Sequence, residues 1–223
     1  MTLSCVALAK TYTAERGEIE AVKGIDLKMR RGEFASIVGR SGSGKSSFLA
    51  MIGGLSRPSR GSVRIEDVDI WTLTDDRLAD FRNRRIGFVY QFGSLLPTLR
   101  IVDNVALPAR LDPAQDTARA YRRARESLDQ FGLSDYLNAY PGEISSGEQR
   151  RAVIARALIN EPALLLADEP TSDLDEVAES EIVEGFQRLN REQGLTVVMV
   201  THNLRLAEHT DRVIHISNGR LTT

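Results

Sequence analysis

The sequence predicts an α/β fold with a mainly parallel sheet, and three observations carry that expectation. Short, continuously apolar runs recur at EFASIVG (33–39), ALLLAD (163–168) and LTVVMVT (195–201), the pattern of parallel strands covered on both faces. Helical patterns separate them: SSFLAMIGGL follows the first run and stops at Gly53-Gly54. Between the second and third lies EVAESEIVEGFQRLNREQG, in which Ile182, Val183, Phe186 and Leu189 form a helical stripe ended by Gly194. Strand, helix and strand in alternation build a parallel sheet with helices on its faces.

Two regions depart from this rhythm. Near the N-terminus, IEAVKGIDLKMRRGEF and GSVRIEDVDI alternate apolar and polar residues, which predicts antiparallel strands with one wet face. From about 92 to 160, Tyr121, Ala124, Leu128 and Phe131 recur at helical spacing, with Arg119, Arg122, Arg123 and Arg125 mainly on the opposite, solvated face. RRAVIARAL reads as a further helix, opened by ISSGEQRR (144–151). With no internal repeat and no low-complexity linker, both regions read as subdomains of one unit spanning residues 1–223.

Composition narrows the function classes. The 29 basic and 31 acidic side chains leave a net charge of -2, which argues against a dedicated nucleic-acid binder. The single cysteine, Cys5, cannot form an internal disulfide and reads as a small buried or surface residue of a cytosolic protein. MTLSCVALAK lacks the features of a secretory signal, and the longest apolar runs are strand-sized. Any membrane role is therefore expected to come through a partner.

The most specific chemical signal is GRSGSGKS, formed by Gly39, Arg40, Ser41, Gly42, Ser43, Gly44, Lys45 and Ser46, with Ser47 next in line. It leaves a predicted strand and opens a predicted helix, the setting in which such a loop cradles phosphates on its backbone N–H groups. Lys45 can reach the β- and γ-phosphates, and the Ser46 hydroxyl suits a Mg²⁺ ligand. An ordinary glycine turn is the bland alternative, and the strand and helix context disfavours it.

Two more stretches fall on the same predicted sheet edge. In LLLADEPTSDLD, Asp168 ends a buried strand and can hold Mg²⁺, while Glu169 can orient or deprotonate a water. Carboxylates after a strand are often simple helix caps, and the phosphate loop is what tips the reading. His202 follows the strand LTVVMVT; a lone histidine there is usually a satisfied loop residue, and the shared edge reverses those odds. His209 and His215 have no such support.

Taken in order, GRSGSGKS, GFVYQ, ISSGEQRR, LLLADEP, SDLD and VTHN resemble the ATP-binding-cassette (ABC) ATPases over essentially the whole chain. The resemblance implies a P-loop NTPase fold: a RecA-like core, an antiparallel β subdomain and an inserted α-helical subdomain at roughly 92–160. It implies ATP and Mg²⁺ as cofactors and a second ATPase subunit, in a homodimer, as partner. ISSGEQRR then stands where the family carries its signature loop, so the second phosphate cradle serves the nucleotide of the opposite subunit.

The same resemblance carries roles to single residues. Tyr12 matches the aromatic that stacks on adenine, and Gln91 the glutamine that senses Mg²⁺ and the lytic water. Ser145 and Gly147 match the signature positions near the partner's γ-phosphate, Asp175 the end of the loop that crosses to the other subunit, and His202 the γ-phosphate contact. Ser146, Ile144 and Glu148 stand where glycine, leucine and glutamine are usual, while Lys45, Asp168, Glu169 and His202 keep the catalytic pattern.

GGLSRPSRGSVRI, RIGFVYQFGSLLPTLRIVDNVALP and VIHISNGRL further resemble the LolD/MacB/FtsE-like subfamily, whose members drive integral membrane permease subunits from the cytoplasmic face of the inner membrane. A conventional importer or exporter ATPase, or a soluble ABC-type assembly ATPase, is the alternative. A kinase or nucleotide switch would use the phosphate loop alone and has no need of a signature loop.

Overall fold

The computed structural model describes residues 1–14, 17–91, 95–112, 115–172 and 174–222. The expected start of the helical insertion at 92 and Asp173 of the SDLD stretch lie outside them. The described residues form two sheets. The larger contains β3 (Phe34–Val38), β6 (Ile86–Val89), β7 (Leu164–Asp168), β8 (Thr196–Val200), β9 (Arg212–Ser217) and β10 (Arg220–Thr222). Its order is β10-β9-β3-β8-β7-β6, parallel except for the β9–β10 hairpin. The smaller is antiparallel, in the order β2-β1-β4-β5, built from β1 (Leu3–Ala14), β2 (Gly17–Met29), β4 (Arg60–Ile65) and β5 (Val68–Asp69).

Alternate residues of the parallel strands feed two cores. Ala35, Ile37, Leu164, Leu166, Val198 and Val200 face one side; Phe34, Leu165, Ala167, Val197 and Met199 face the other. Since both faces are dry, no polar alternation survives in these strands, which is why they read as continuous apolar runs. Helix α1 (Lys45–Ile52) lies between the two sheets and buries Phe48, Leu49, Met51 and Ile52. Strand β2, with one wet face, alternates buried and exposed residues towards its end.

The second core takes helices on the other face of the parallel sheet. Phe186 of α6 (Glu176–Gln193) meets Phe34 edge-on, with ring centroids 6.4 Å apart, and Gly194 caps α6 in the left-handed conformation at φ 65°. Between β6 and β7 come α3 (Ile101–Arg110), α4 (Thr117–Gln130) and α5 (Ser146–Leu158), with no strand among the described residues there. This is the expected helical insertion. Helix α4 buries Ala120, Ala124 and Leu128, and Phe131 is its C-cap residue rather than part of its last turn. Within α3, the buried Asn104 amide ties down the segment that precedes the helix: it donates to the Leu96, Leu99 and Arg100 carbonyls and accepts from the Leu96 N–H.

Two further helices have no clear stripe to announce them. Helix α2 (Asp75–Arg85) buries only Leu78, and α7 (Leu204–Ala207) is a single turn.

Candidate active site

The parallel register brings distant motifs to one edge. Ile37 on β3 and Asp168 on β7 both pair with Val200 of β8, so the residues that follow each strand leave the sheet together. Gly39 opens the phosphate loop, Glu169 follows Asp168, and His202 follows β8, all at the carboxyl ends where open α/β sheets take their ligands.

The loop conformation depends on two close approaches. A methyl on Gly44, whose φ is 104°, would lie 2.3 Å from the Ala21 carbonyl oxygen, and one on Gly39 would lie 2.2 Å from that of Ile216. A side chain at either position would push the loop off its supports. Helix α1 begins at Lys45 without a side-chain cap, so its first N–H groups remain for an anion. The buried Lys45 lies across the loop, with Nζ donating to the carbonyls of Gly39 at 2.8 Å and Arg40 at 3.1 Å.

An open cavity of about 510 Å³ is lined by Ala21, the loop residues Ser41 to Ser47, Gln91, Glu169 and His202. Ser46 Oγ donates to Asp168 Oδ1 at 3.5 Å. Burial pushes the Asp168 carboxyl above its ordinary range and the Glu169 charge adds to the shift, against the Ser46 hydroxyl and Lys45. Hydroxyl and carboxylate oxygens side by side suit a hard divalent cation that completes its shell with phosphates and water. Among the described residues no group of three or more His, Cys, Asp or Glu could hold a metal ion.

Glu169 adopts φ 46°, a left-handed conformation costing a non-glycine residue about 1–3 kcal/mol. Neighbours hold it there: its N–H donates to the Val200 carbonyl at 2.9 Å, and its carbonyl accepts from the Ser172 N–H at 3.2 Å and hydroxyl at 3.1 Å. The turn sends the carboxylate to His202, whose Nδ1 lies 2.9 Å and whose backbone N–H lies 3.3 Å from Oε2. The Glu169 side chain is 14% exposed and that of His202 75%, so the histidine covers the solvent side of the carboxylate.

Other expected residues occupy the surroundings. Tyr12 on β1 is 40% exposed and its hydroxyl donates to Ser47 Oγ at 3.2 Å, which ties an accessible aromatic ring to the phosphate loop. Asp175 is the N-cap of α6 and accepts from the Ala178 N–H at 2.9 Å. Ser145 caps α5, with Gly147 already inside the first turn, and neither lines the cavity. Glu148 closes a capping box: its Oε2 accepts from the Ser145 N–H and hydroxyl, both at 2.7 Å. These two donors and the Tyr136 hydroxyl hold the Glu148 carboxyl below the usual range. His209 and His215 stand apart from the cavity lining, as expected.

Ala21, Ile216 and Arg150 contribute without a signal in the sequence, the first two through carbonyls against the phosphate loop. Ala21 enters through its carbonyl, on a strand of the other sheet. Arg150 approaches from α5, and its Nη1 and Nη2 donate to the carbonyls of Tyr90 at 2.7 Å and Gln91 at 3.0 Å.

A glycine-supported loop at a helix start, with a lysine across it and a carboxylate and histidine facing it, handles nucleoside triphosphates; the class is that of P-loop NTPases. A family profile described as "ABC transporter" matches residues 22–172. The lipoprotein-releasing system ATP-binding protein LolD of Syntrophotalea carbinolica is 43% identical over 215 residues, covering 96% of this chain and 94% of that one. The macrolide export ATP-binding/permease protein MacB of Syntrophobacter fumaroxidans is 40% identical over 213 residues, covering 95% of this chain and 30% of that longer one. A solved ATP-binding cassette, dimeric in a post-hydrolysis state with ADP and Pi, superposes with a TM-score of 0.92 at 38% identity, covering 99% of this chain and 97% of the other. The chain belongs to the ABC transporter family, as an ATP-hydrolysing nucleotide-binding cassette.

Proposed function

We propose that this cassette works as a head-to-tail homodimer on the cytoplasmic face of the inner membrane and drives a separate permease subunit of the lipoprotein-release or macrolide-export type. Support for the subfamily comes from the LolD and MacB relatives. No helix among the described residues is long and apolar enough to cross a membrane, so on this reading the permease supplies the spanning segments.

One observation carries the dimer: Ser145 and Gly147, on the cap of α5, do not line the cavity that the phosphate loop, Gln91, Glu169 and His202 share. The family resemblance makes this helix start a phosphate contact, and lying outside its own cavity it would serve that of the opposite subunit. In the dimer, each signature loop completes the cavity of the opposite subunit, and closure shuts bulk water out of both.

Within that site the loop N–H groups and Lys45 bind the phosphates, and Tyr12 takes the adenine. Ser46, Asp168 and Gln91 would hold Mg²⁺, which when bound neutralises charge on the β- and γ-phosphate oxygens. Glu169, kept in place by its strained turn and by His202, orients the attacking water and accepts its proton. His202 also reaches the γ-phosphate from the solvent side, and Asp175 ends the loop that meets the other subunit.

Glu169→Gln tests this reading. The variant should hydrolyse ATP about 100- to 10,000-fold more slowly and elute as a dimer when ATP is present. Hydrolysis at the parent rate would overturn the role of Glu169, and a monomer at saturating ATP would overturn the closed pair. Pull-down of this variant with ATP from solubilised native membranes should recover a multi-span subunit with a large periplasmic domain. An ordinary permease in its place would assign a conventional transporter, and only soluble proteins an assembly ATPase.

A further inference from the structure

Helix α5 reaches the wall of the catalytic cavity without lining it. Its C-terminal half is pressed onto β6: a methyl on Gly87 would lie 2.5 Å from the Ala157 carbonyl oxygen, so the two backbones are in direct contact. Its N-terminal end carries Ser145. Arg150 lies between these points, and its guanidinium grips the first two residues after β6, donating to the Tyr90 carbonyl at 2.7 Å and to the Gln91 carbonyl at 3.0 Å. Gln91 belongs to the cavity wall. A guanidinium holds its donors in a rigid planar fork, so gripping successive carbonyls sets the direction of the main chain as well as its distance.

We infer that Arg150 is a positioning residue for ATP hydrolysis: it fixes the backbone at Gln91, and thereby the Gln91 side chain at the cavity, and ties that placement to the helix carrying Ser145. The inference rests on the role proposed above for Gln91. Helix α5 is a stiff 13-residue element held against β6 near its far end. A shift of its Ser145 end against the other subunit's nucleotide therefore reaches Gln91 through one side chain. Such a link lets the state of the opposite site bear on the geometry of this one.

The test uses the full chain with Arg150→Ala, Arg150→Lys, Gln91→Ala and the Arg150→Ala/Gln91→Ala double variant. ATPase rates are measured together with amide hydrogen exchange of residues 86–91 in the nucleotide-free protein. Arg150→Ala should speed that exchange about tenfold or more and lower kcat about tenfold, with KM for ATP within about twofold of the parent. Arg150→Lys should recover part of both, because an ammonium reaches one carbonyl well and lacks the fork. The double variant should be no slower than Gln91→Ala alone, since both changes act through one group.

Parent kcat in Arg150→Ala would overturn the inference. So would losses that multiply in the double variant, which would place the action of Arg150 elsewhere. A rate loss with unchanged exchange at 86–91 would do the same. Gln91→Ala at the parent rate would remove the role of Gln91 itself and the inference with it, an outcome distinct from slow Gln91→Ala beside fast Arg150→Ala.

Discussion

Lys45 and Gly44 are neighbours that serve the phosphate loop by different physics, and substitution separates them. Lys45 supplies charge, and its Nζ is held over the loop by the Gly39 and Arg40 carbonyls. Lys45→Ala removes that charge and leaves the fold of the loop, so it should lower kcat/KM for ATP about 100-fold or more while the thermal midpoint stays near the parent's. Gly44 supplies space: a methyl there would meet the Ala21 carbonyl at 2.3 Å in a conformation, φ 104°, that side chains rarely adopt. Gly44→Ala should both weaken nucleotide binding and lower the thermal midpoint, because the loop must leave β2 to accept it. Isothermal titration with an unhydrolysed ATP analogue and a thermal melt of each variant distinguish the cases.

Among the elements, α3 and α4 are joined through Asp103, which sits in the first turn of α3. Its carboxylate accepts from Arg100 Nε at 2.8 Å and from the Tyr121 hydroxyl of α4 at 2.7 Å. The Arg100 contact, first, and the Tyr121 hydroxyl hold the Asp103 carboxyl below its ordinary range, against a desolvation that acts the other way. A carboxyl whose folded pKa lies below its unfolded one adds stability at pH values above the unfolded pKa, about 3.9 for an aspartate. That contribution disappears as pH falls through the folded pKa. Denaturant melts should therefore show Asp103→Asn less stable than the parent at pH 7, with the charge-dependent part of the gap shrinking below about pH 4. Arg100 is partly exposed, so added salt should narrow the gap at pH 7.

At the scale of the whole molecule, α1 connects the two sheets. Phe48 is fully buried among residues of both, including Leu3 and Leu27 on one side and Ile37 and Leu166 on the other. Phe48→Ala should cost about 3–5 kcal/mol and, since α1 also begins the nucleotide site, should reduce ATP binding in proportion to the fraction unfolded. Chemical denaturation followed by far-UV circular dichroism and by nucleotide binding should give coincident transitions in the parent. Separate transitions would mean that the antiparallel sheet and the parallel core unfold as independent units.

Sequence periodicity alone determined β3, β7 and β8 of the parallel core, because strands dry on both faces must be mainly apolar and α6 must carry a stripe where it meets them; β6 and β9, which join the same sheet, were not legible. It determined β2 and β4 of the antiparallel sheet by their wet face but not β1, the strand between them, and it placed Gly39 to Ser46, Asp168, Glu169 and His202 at the ends of strands, where a parallel register gathers them on one edge. Helix α2 was illegible because it buries only Leu78, too little to set a period. Only the tertiary structure decided that the Ala21 and Ile216 carbonyls shape the phosphate loop, that His202 faces Glu169, and that Arg150 grips the backbone at Tyr90 and Gln91. The physical reason is that periodicity records which face of a local element is dry, whereas these contacts join residues far apart in the chain, several of them through backbone carbonyls that every residue type possesses.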